Sequence, residues 1–126
     1  MAGQKAASWR ALLAAQRPEV AGAGRAIEAL LREALPDAVV SFDAADGLLA
    51  FGTTGSMRDL LFALIPHASW LNLQLADGAV LDDPDGIVEG TGKRIRHVKL
   101  RSAEDAARPA VRAIVAAQIA FRPRPA

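Results

Sequence analysis

The chain has 126 residues, 52% of them apolar, so one folded domain with a single core is expected. Lysine and arginine number 15 and aspartate and glutamate 14, a balance that argues against a dedicated nucleic-acid binder. The absence of cysteine excludes disulfides, a thiolate nucleophile and Cys-ligated metal sites. No apolar run approaches the roughly 20 residues that span a bilayer, and residues 1–8 lack the apolar core of a signal peptide, so a cytoplasmic location is expected.

Two helices are predicted at the start of the chain. Trp9, Leu12 and Leu13 recur at helical spacing, and Pro18 ends that segment. A longer helix is predicted over residues 19–35, because its apolar residues recur with a period near 3.6.

The longer helix contains one stabilising and one destabilising feature. Glu28 and Arg32 are four residues apart, so their side chains can pair on its outer face. Gly22 and Gly24 each cost the helix about 1 kcal/mol relative to alanine. The first turns of this helix are therefore predicted to be weak.

Five strands are predicted after this helix: residues 38–43, 48–52, 60–65, 70–75 and 95–101. Turn residues such as aspartate, glycine and proline separate them, and the first two are spaced as a hairpin. The third is continuously apolar, as in a strand covered on both faces or in a short buried helix.

The last two strands have alternating side chains, and this alternation predicts two faces of one sheet. The residues expected to face the core are Leu71, Leu73, Leu75, Val98 and Leu100. The residues expected on the opposite face, called the open face below, are Trp70, Asn72, Gln74, His97, Lys99 and Arg101.

A C-terminal helix is predicted over about residues 108–120, because Pro109 suits the first turn of a helix. Its apolar stripe consists of Val111, Ile114, Val115 and Ile119. Residues 102–105 match the spacing of a capping box, with Asp105 in place of the usual glutamate or glutamine.

These elements predict an α+β fold, a two-layer sandwich of helices and antiparallel sheet. The N- and C-terminal helices would cover one face of a roughly five-stranded sheet. No internal repeat or domain boundary is visible, so residues 1–126 are expected to form a single domain. Its ordered core is expected over about residues 9–120, with flexible tails at 1–7 and 122–126.

A long motif occupies the stretch before and within the last predicted strand. It consists of Leu81-Asp82-Asp83-Pro84, Gly86, Glu89-Gly90-Thr91-Gly92-Lys93 and Arg96-His97-Val98-Lys99-Leu100-Arg101-Ser102. This motif resembles the signature of the YdhG-like family, a bacterial domain of unknown function. With the Pro66-His67 turn, the resemblance extends over about residues 19–120.

The resemblance implies a frataxin-like fold, and with it iron as a candidate cargo, since some members are described as iron chaperones. No other cofactor is implied. Frataxin-type iron binding uses an acidic ridge on the first helix, whereas residues 19–35 carry three glutamates and two arginines. Frataxins also use a tryptophan and amide side chains on the open sheet face to meet an assembly scaffold. Trp70, Asn72 and Gln74 are of the same residue types.

A first candidate site is a metal site at Asp82, Asp83 and Asp85, because divalent cations prefer clustered carboxylates. Their spacing is not that of an EF-hand. The favoured alternative is a proline-containing turn in which these side chains cap nearby amides. The two histidines, His67 and His97, do not form a metal-binding pair in the sequence.

A second candidate site is the loop Gly90, Thr91, Gly92 and Lys93, together with Arg96. A glycine-bounded loop can form a nest of backbone amides that holds an anion. The loop is not a Walker A motif, because its glycine spacing differs and no helix signal follows. The favoured alternative is a tight connection into the last strand.

The third candidate site is the open face, which combines a tryptophan, two amides and three basic or titratable groups. Such a face can bind a partner protein or an anionic ligand. An ordinary solvated face with one exposed tryptophan is an equally good interpretation.

Three functions are considered. The first is a non-enzymatic accessory or binding protein, with iron handling implied by the resemblance. The second is a binder of small anions or phosphate metabolites. The third is a ligand-free dimerisation module, in which residues 48–52 or another edge strand pair across a two-fold axis.

No catalytic group is predicted, since no serine lies in a Gly-x-Ser-x-Gly elbow. Neither nucleic acid nor a membrane is an expected partner, and the chain is expected to be a monomer or a homodimer.

Overall fold

The structure is a computed structural model that describes residues 6–122. The α+β prediction is confirmed, because an N-terminal helix packs on a five-stranded antiparallel sheet and a C-terminal helix follows. Most of the two predicted tails, residues 1–5 and 123–126, lies outside the described range.

The described residues form four α-helices and five strands. The helices are α1 (Trp9–Ala14), α2 (Pro18–Ala34), α3 (Ala103–Ala106) and α4 (Pro109–Phe121). The strands are β1 (Val39–Asp43), β2 (Leu48–Gly52), β3 (Leu60–Pro66), β4 (Leu71–Leu75) and β5 (Arg96–Leu100). A 3-10 helix, Met57–Asp59, precedes β3. The continuously apolar segment at residues 60–65 is therefore a strand and not a short helix.

The strands form an antiparallel meander in the order β1-β2-β3-β4-β5. In the β4–β5 pair, Leu73 lies opposite Val98 and Gln74 lies opposite His97. This register places the apolar residues of both strands on one face and their polar residues on the other. The strand at 48–52, named as a candidate for edge pairing, is β2 and lies inside the sheet, because β1 continues the sheet beyond it.

The helices cover the apolar face of the sheet. The five predicted core residues of β4 and β5 are each at most 1% exposed, so the predicted orientation of both strands is confirmed. Facing them are the buried residues of α2 and α4, including Val20, Ile27, Leu31, Val111, Ile114 and Val115.

The two glycines of α2 have different surroundings. A Cβ at Gly24 would lie 2.6 Å from Leu13 and 3.2 Å from Leu71, so the glycine allows α1 and β4 to approach α2 closely. A Cβ at Gly22 would meet only Ala103, at 3.8 Å, which is an ordinary contact. The prediction that both glycines merely weaken the helix therefore missed a packing role for Gly24.

Two predicted local contacts are present. Arg32 Nε lies 2.9 Å from Glu28 Oε2, and Trp9 Nε1 donates to the other oxygen of Glu28 at 2.9 Å. Ser102 Oγ accepts from the backbone N–H of Asp105 at 3.1 Å, which is one half of a capping box; the Asp105 carboxylate accepts from the N–H of Arg101 rather than from that of Ser102. The cap begins the separate short helix α3, after which α4 starts at Pro109. Among the described helices, none is long and apolar enough to cross a bilayer.

Candidate functional site

An aromatic cluster lies on the open face where β4 begins and β5 ends. The partly buried Trp70 ring stacks on His67, with the ring centroids 5.2 Å apart and the planes inclined by 25°. Trp70 Nε1 donates to Asn72 Oδ1 at 2.9 Å, and Asn72 Nδ2 lies 3.1 Å from His67 Nε2. Lys99 Nζ lies 4.7 Å from the centre of the Trp70 ring. We call His67, Trp70, Asn72 and Lys99 the aromatic cluster.

The turn between β3 and β4 and the register of β5 produce this cluster. The backbone N–H of His67 donates to the carbonyl of Trp70 at 2.8 Å, which closes the turn and brings the two rings together. Asn72 lies directly opposite Lys99, so the lysine reaches across β4 to the indole. A lysine at this distance from a tryptophan face makes a cation–π interaction worth about 0.5–1 kcal/mol at an exposed site.

The other predicted residues of the open face lie around the cluster. Gln74 and His97 are opposite each other on β4 and β5. Arg101 lies one residue beyond β5 and is exposed, and its backbone N–H donates to Asp105 Oδ2 at 2.9 Å. Three of the six residues predicted for the open face therefore contact one another in the cluster: Trp70, Asn72 and Lys99. His67, which the sequence placed only in a turn, is its fourth member.

Glu89 lies beside β5, at one edge of the open face. Its backbone N–H donates to the His97 carbonyl at 2.7 Å, and its backbone carbonyl accepts from the His97 N–H at 3.0 Å. Its side chain lies 3.7 Å from Lys99 Nζ, a partly exposed ion pair that adds little stability. The backbone bridge covers the outer edge of β5 along this residue.

The structure does not bring the three aspartates of the predicted metal site together as a ligand set. Asp83 accepts hydrogen bonds from the backbone N–H groups of Ile87 and Val88, each at 3.0 Å. Across residues 6–122 no group of three or more His, Cys, Asp or Glu side chains is placed to hold a metal ion. A metal site at Asp82, Asp83 and Asp85 is therefore not supported, and the alternative of a capping turn is confirmed at Asp83.

The glycine loop makes a tight connection into β5. Gly92 packs so closely against the Ile95 carbonyl that a Cβ would clash with it, and Gly90 has a φ of +116° that favours glycine. Arg96 Nε donates to the Gly92 carbonyl at 3.0 Å. These contacts agree with the favoured alternative of a tight turn. Anion binding by exposed Thr91 and Lys93 stays a prediction.

A buried ionic network that the sequence did not predict ties α4 to the end of β4. Asp77 and Gln118 are both 0% exposed. The Asp77 carboxylate accepts from Gln118 Nε2 at 2.8 Å, from Arg94 Nη2 at 2.8 Å and from Arg122 Nη2 at 2.9 Å. Arg122 Nε also lies 2.7 Å from Asp77 Oδ2. Arg122 was predicted to belong to a flexible tail, and its pairing with Asp77 corrects that prediction.

The electrostatics of this network keep Asp77 charged. Burial alone would raise the pKa of Asp77, but hydrogen bonds from Arg122, Arg94 and Gln118 and the attraction of Arg122 outweigh it. The pKa of Asp77 therefore lies below its ordinary value of 3.8. A carboxylate that is fully charged and fully hydrogen-bonded at neutral pH is suited to holding structure rather than to proton transfer.

Comparisons of the chain with protein-family models, with curated proteins and with solved structures gave no match. The resemblance to the YdhG-like family accordingly stays a prediction that rests on the sequence motif.

Proposed function

We propose that this chain is a non-enzymatic accessory protein, cytoplasmic in location, that binds a partner protein on the open face of its sheet. The observation that carries the proposal is the aromatic cluster. Three neighbours hold Trp70 in one orientation, while the residue as a whole stays partly exposed. A tryptophan fixed in this way loses little conformational freedom on binding, and such residues are typical anchors of protein interfaces.

The sequence motif supports the same proposal. The YdhG-like resemblance implies a frataxin-like fold, in which a tryptophan on the open sheet face meets a protein partner. The resemblance also implies iron as cargo, but the described residues contain no preformed ligand set for a metal. The proposal therefore concerns partner binding and does not extend to iron.

The test compares proteins captured by the immobilised chain, by its Trp70→Ala variant and by a Glu33→Ala variant as control. Glu33 is exposed and lies on α2, in the helix layer that covers the opposite face of the sheet. A protein retained by the wild type and the control should bind Trp70→Ala about 30-fold more weakly when purified, as for a hot-spot loss of about 2 kcal/mol. Trp70 is not one of the buried core residues, so the variant should stay folded, which circular dichroism checks. Equal binding by all three proteins would contradict the proposal.

Dimerisation through β1 is a second candidate, because the two edges of the sheet differ. Glu89 covers part of the β5 edge, whereas no described strand pairs with the outer edge of β1. Antiparallel pairing of two copies about Ser41 would set Val40 of one opposite Phe42 of the other, which extends the apolar face. Light scattering should then show the dimer mass at high concentration. A monomer mass at about 1 mM, a concentration at which even weak association is detected, would exclude this candidate.

A further inference from the structure

The open face has a second feature at the opposite end from the aromatic cluster, where β4 ends and β3 and β5 begin. A cleft of about 240 Å³ lies there. Its apolar walls include Met57, Leu60 and Ile95, and its polar groups are Arg58, Gln74 and Arg94. Gln74 is four residues from Trp70, so the cleft lies about 13 Å from Trp70 along β4.

The apolar walls of this cleft are unusually exposed. Met57 is 82% exposed and Ile95 is 54% exposed. Exposed apolar side chains that gather around one concavity mark a contact site for another molecule. The volume is smaller than the roughly 300–1,000 Å³ of small-molecule pockets. The cleft therefore fits a single large side chain better than a whole metabolite.

The charge of the cleft indicates which groups of a ligand would lie next to that side chain. Its lining contains two arginines and no acidic residue. The Arg94 side chain is 65% exposed, and its Nη2 donates to Asp77. A guanidinium has five N–H donors, so others remain available for a ligand. The Arg58 guanidinium has no hydrogen-bond or ion-pair partner in the part of the chain that the structure describes. Two guanidinium groups beside an apolar cleft are complementary to carboxylates.

We infer that this cleft binds an acidic peptide segment of a partner protein. One large apolar side chain of the segment enters between Met57 and Ile95, and flanking aspartate or glutamate side chains pair with Arg58 and Arg94. The inference does not depend on the aromatic cluster, since none of its residues lines the cleft.

The experiment uses the full chain and a fluorescein-labelled peptide of alternating Asp and Glu around a central Leu-Phe pair. One control peptide has Asn and Gln in place of the acids, and a second has Ser in place of Leu and Phe. The acidic apolar peptide should bind about tenfold more tightly than either control, as for a difference of about 1.4 kcal/mol. Binding should weaken as NaCl rises from about 50 to about 500 mM, because salt screens the exposed charges. The amide resonances of Met57, Arg58 and Ile95 should shift on titration.

Substitutions in the chain complete the test. Arg58→Ala should weaken binding about fivefold, as for the loss of one exposed ion pair, and Met57→Ser should weaken it through loss of an apolar contact. Arg112→Ala, which removes an exposed arginine on α4, should bind like the wild type. Trp70→Ala should also bind like the wild type, which separates this site from the proposed partner site. Equal binding of all three peptides, or resonance shifts outside the cleft, would overturn the inference.

Discussion

Asp77 and Gln118 hydrogen-bond to each other twice across 41 positions of the chain. Gln118 Nε2 donates to Asp77 Oδ2, and the backbone N–H of Asp77 donates to Gln118 Oε1, both at 2.8 Å. The pair joins the end of β4 to the last turns of α4, and Arg94 and Arg122 neutralise the buried charge. This contact fixes the C-terminal helix at one position along the sheet.

Replacement of Asp77 by asparagine should lower the free energy of unfolding by about 2–3 kcal/mol. The substitution keeps the shape of the side chain but removes the charge that pairs with Arg94 and Arg122. The expected loss is below that of a fully buried pair, because both arginines keep contact with water. Urea unfolding measures the change, with the exposed Asp82→Asn as control. A loss no larger than that of the control would show that the network contributes little.

The stability of the network should also depend on pH. The folded pKa of Asp77 lies below 3.8, so the unfolded chain takes up the proton first as the pH falls. The stabilisation is therefore fully present above about pH 5 and is lost as the pH falls through the folded pKa. The difference in unfolding free energy between the wild type and Asp77→Asn should be largest near neutral pH and should shrink below about pH 4. A difference that stays constant down to about pH 2.5 would contradict the lowered pKa.

Leu73→Ala and Leu100→Ala should each cost about 2–5 kcal/mol, because both leucines are 0% exposed and their removal leaves cavities under the helices. Gln74 is adjacent to Leu73 on β4 but points to the open face, so Gln74→Ala should cost less than about 0.5 kcal/mol. Chemical denaturation of the three variants tests the assignment of faces. A Gln74 variant as unstable as the leucine variants would show that the open face is part of the core.

The two glycines of α2 should respond to alanine with opposite signs. Gly22→Ala should stabilise the fold by about 0.5–1 kcal/mol, since alanine favours helix and its Cβ would meet Ala103 at an ordinary 3.8 Å. Gly24→Ala should destabilise it, because displacing Leu13 and Leu71 costs about 1–3 kcal/mol and exceeds the gain in helix propensity. Thermal unfolding of the two variants tests whether their changes in stability have opposite signs. A stabilising Gly24→Ala would mean that Leu13 can move aside at little cost.

The sequence predicted the features of this fold that depend on local pattern. The alternation in β4 and β5 was enough to assign Leu73 and Val98 to the core, because burial on one face leaves a period of two in the sequence. The contact of Lys99 with Trp70 needs the register between two strands separated by residues 76–95, which the pattern does not contain. The alternation therefore indicated the open face but not which of its residues touch.

The Asp77 network was missed for a related reason. Asp77 lies just after the predicted strand at residues 70–75, which does end at Leu75, but the partners of Asp77 come from distant segments. One signal was present in the sequence. Gln118 follows Val111, Ile114 and Val115 on the same stripe of α4, and an amide on an otherwise apolar stripe needs a buried partner. The sequence could have predicted that a partner exists, but not that it is Asp77.

The meander order of the strands has a consequence for the folding route. Each of the first four strands pairs with its immediate neighbour in the chain, so these hairpins close short loops and can form early. β5 must close the longer segment of residues 76–95 before it pairs, and α4 follows β5 in the chain. We therefore expect the Asp77–Gln118 contact to form after the rate-limiting step. Contacts that form late govern the unfolding rate more than the folding rate. This network should therefore act mainly by lowering the rate at which α4 detaches from the sheet during unfolding.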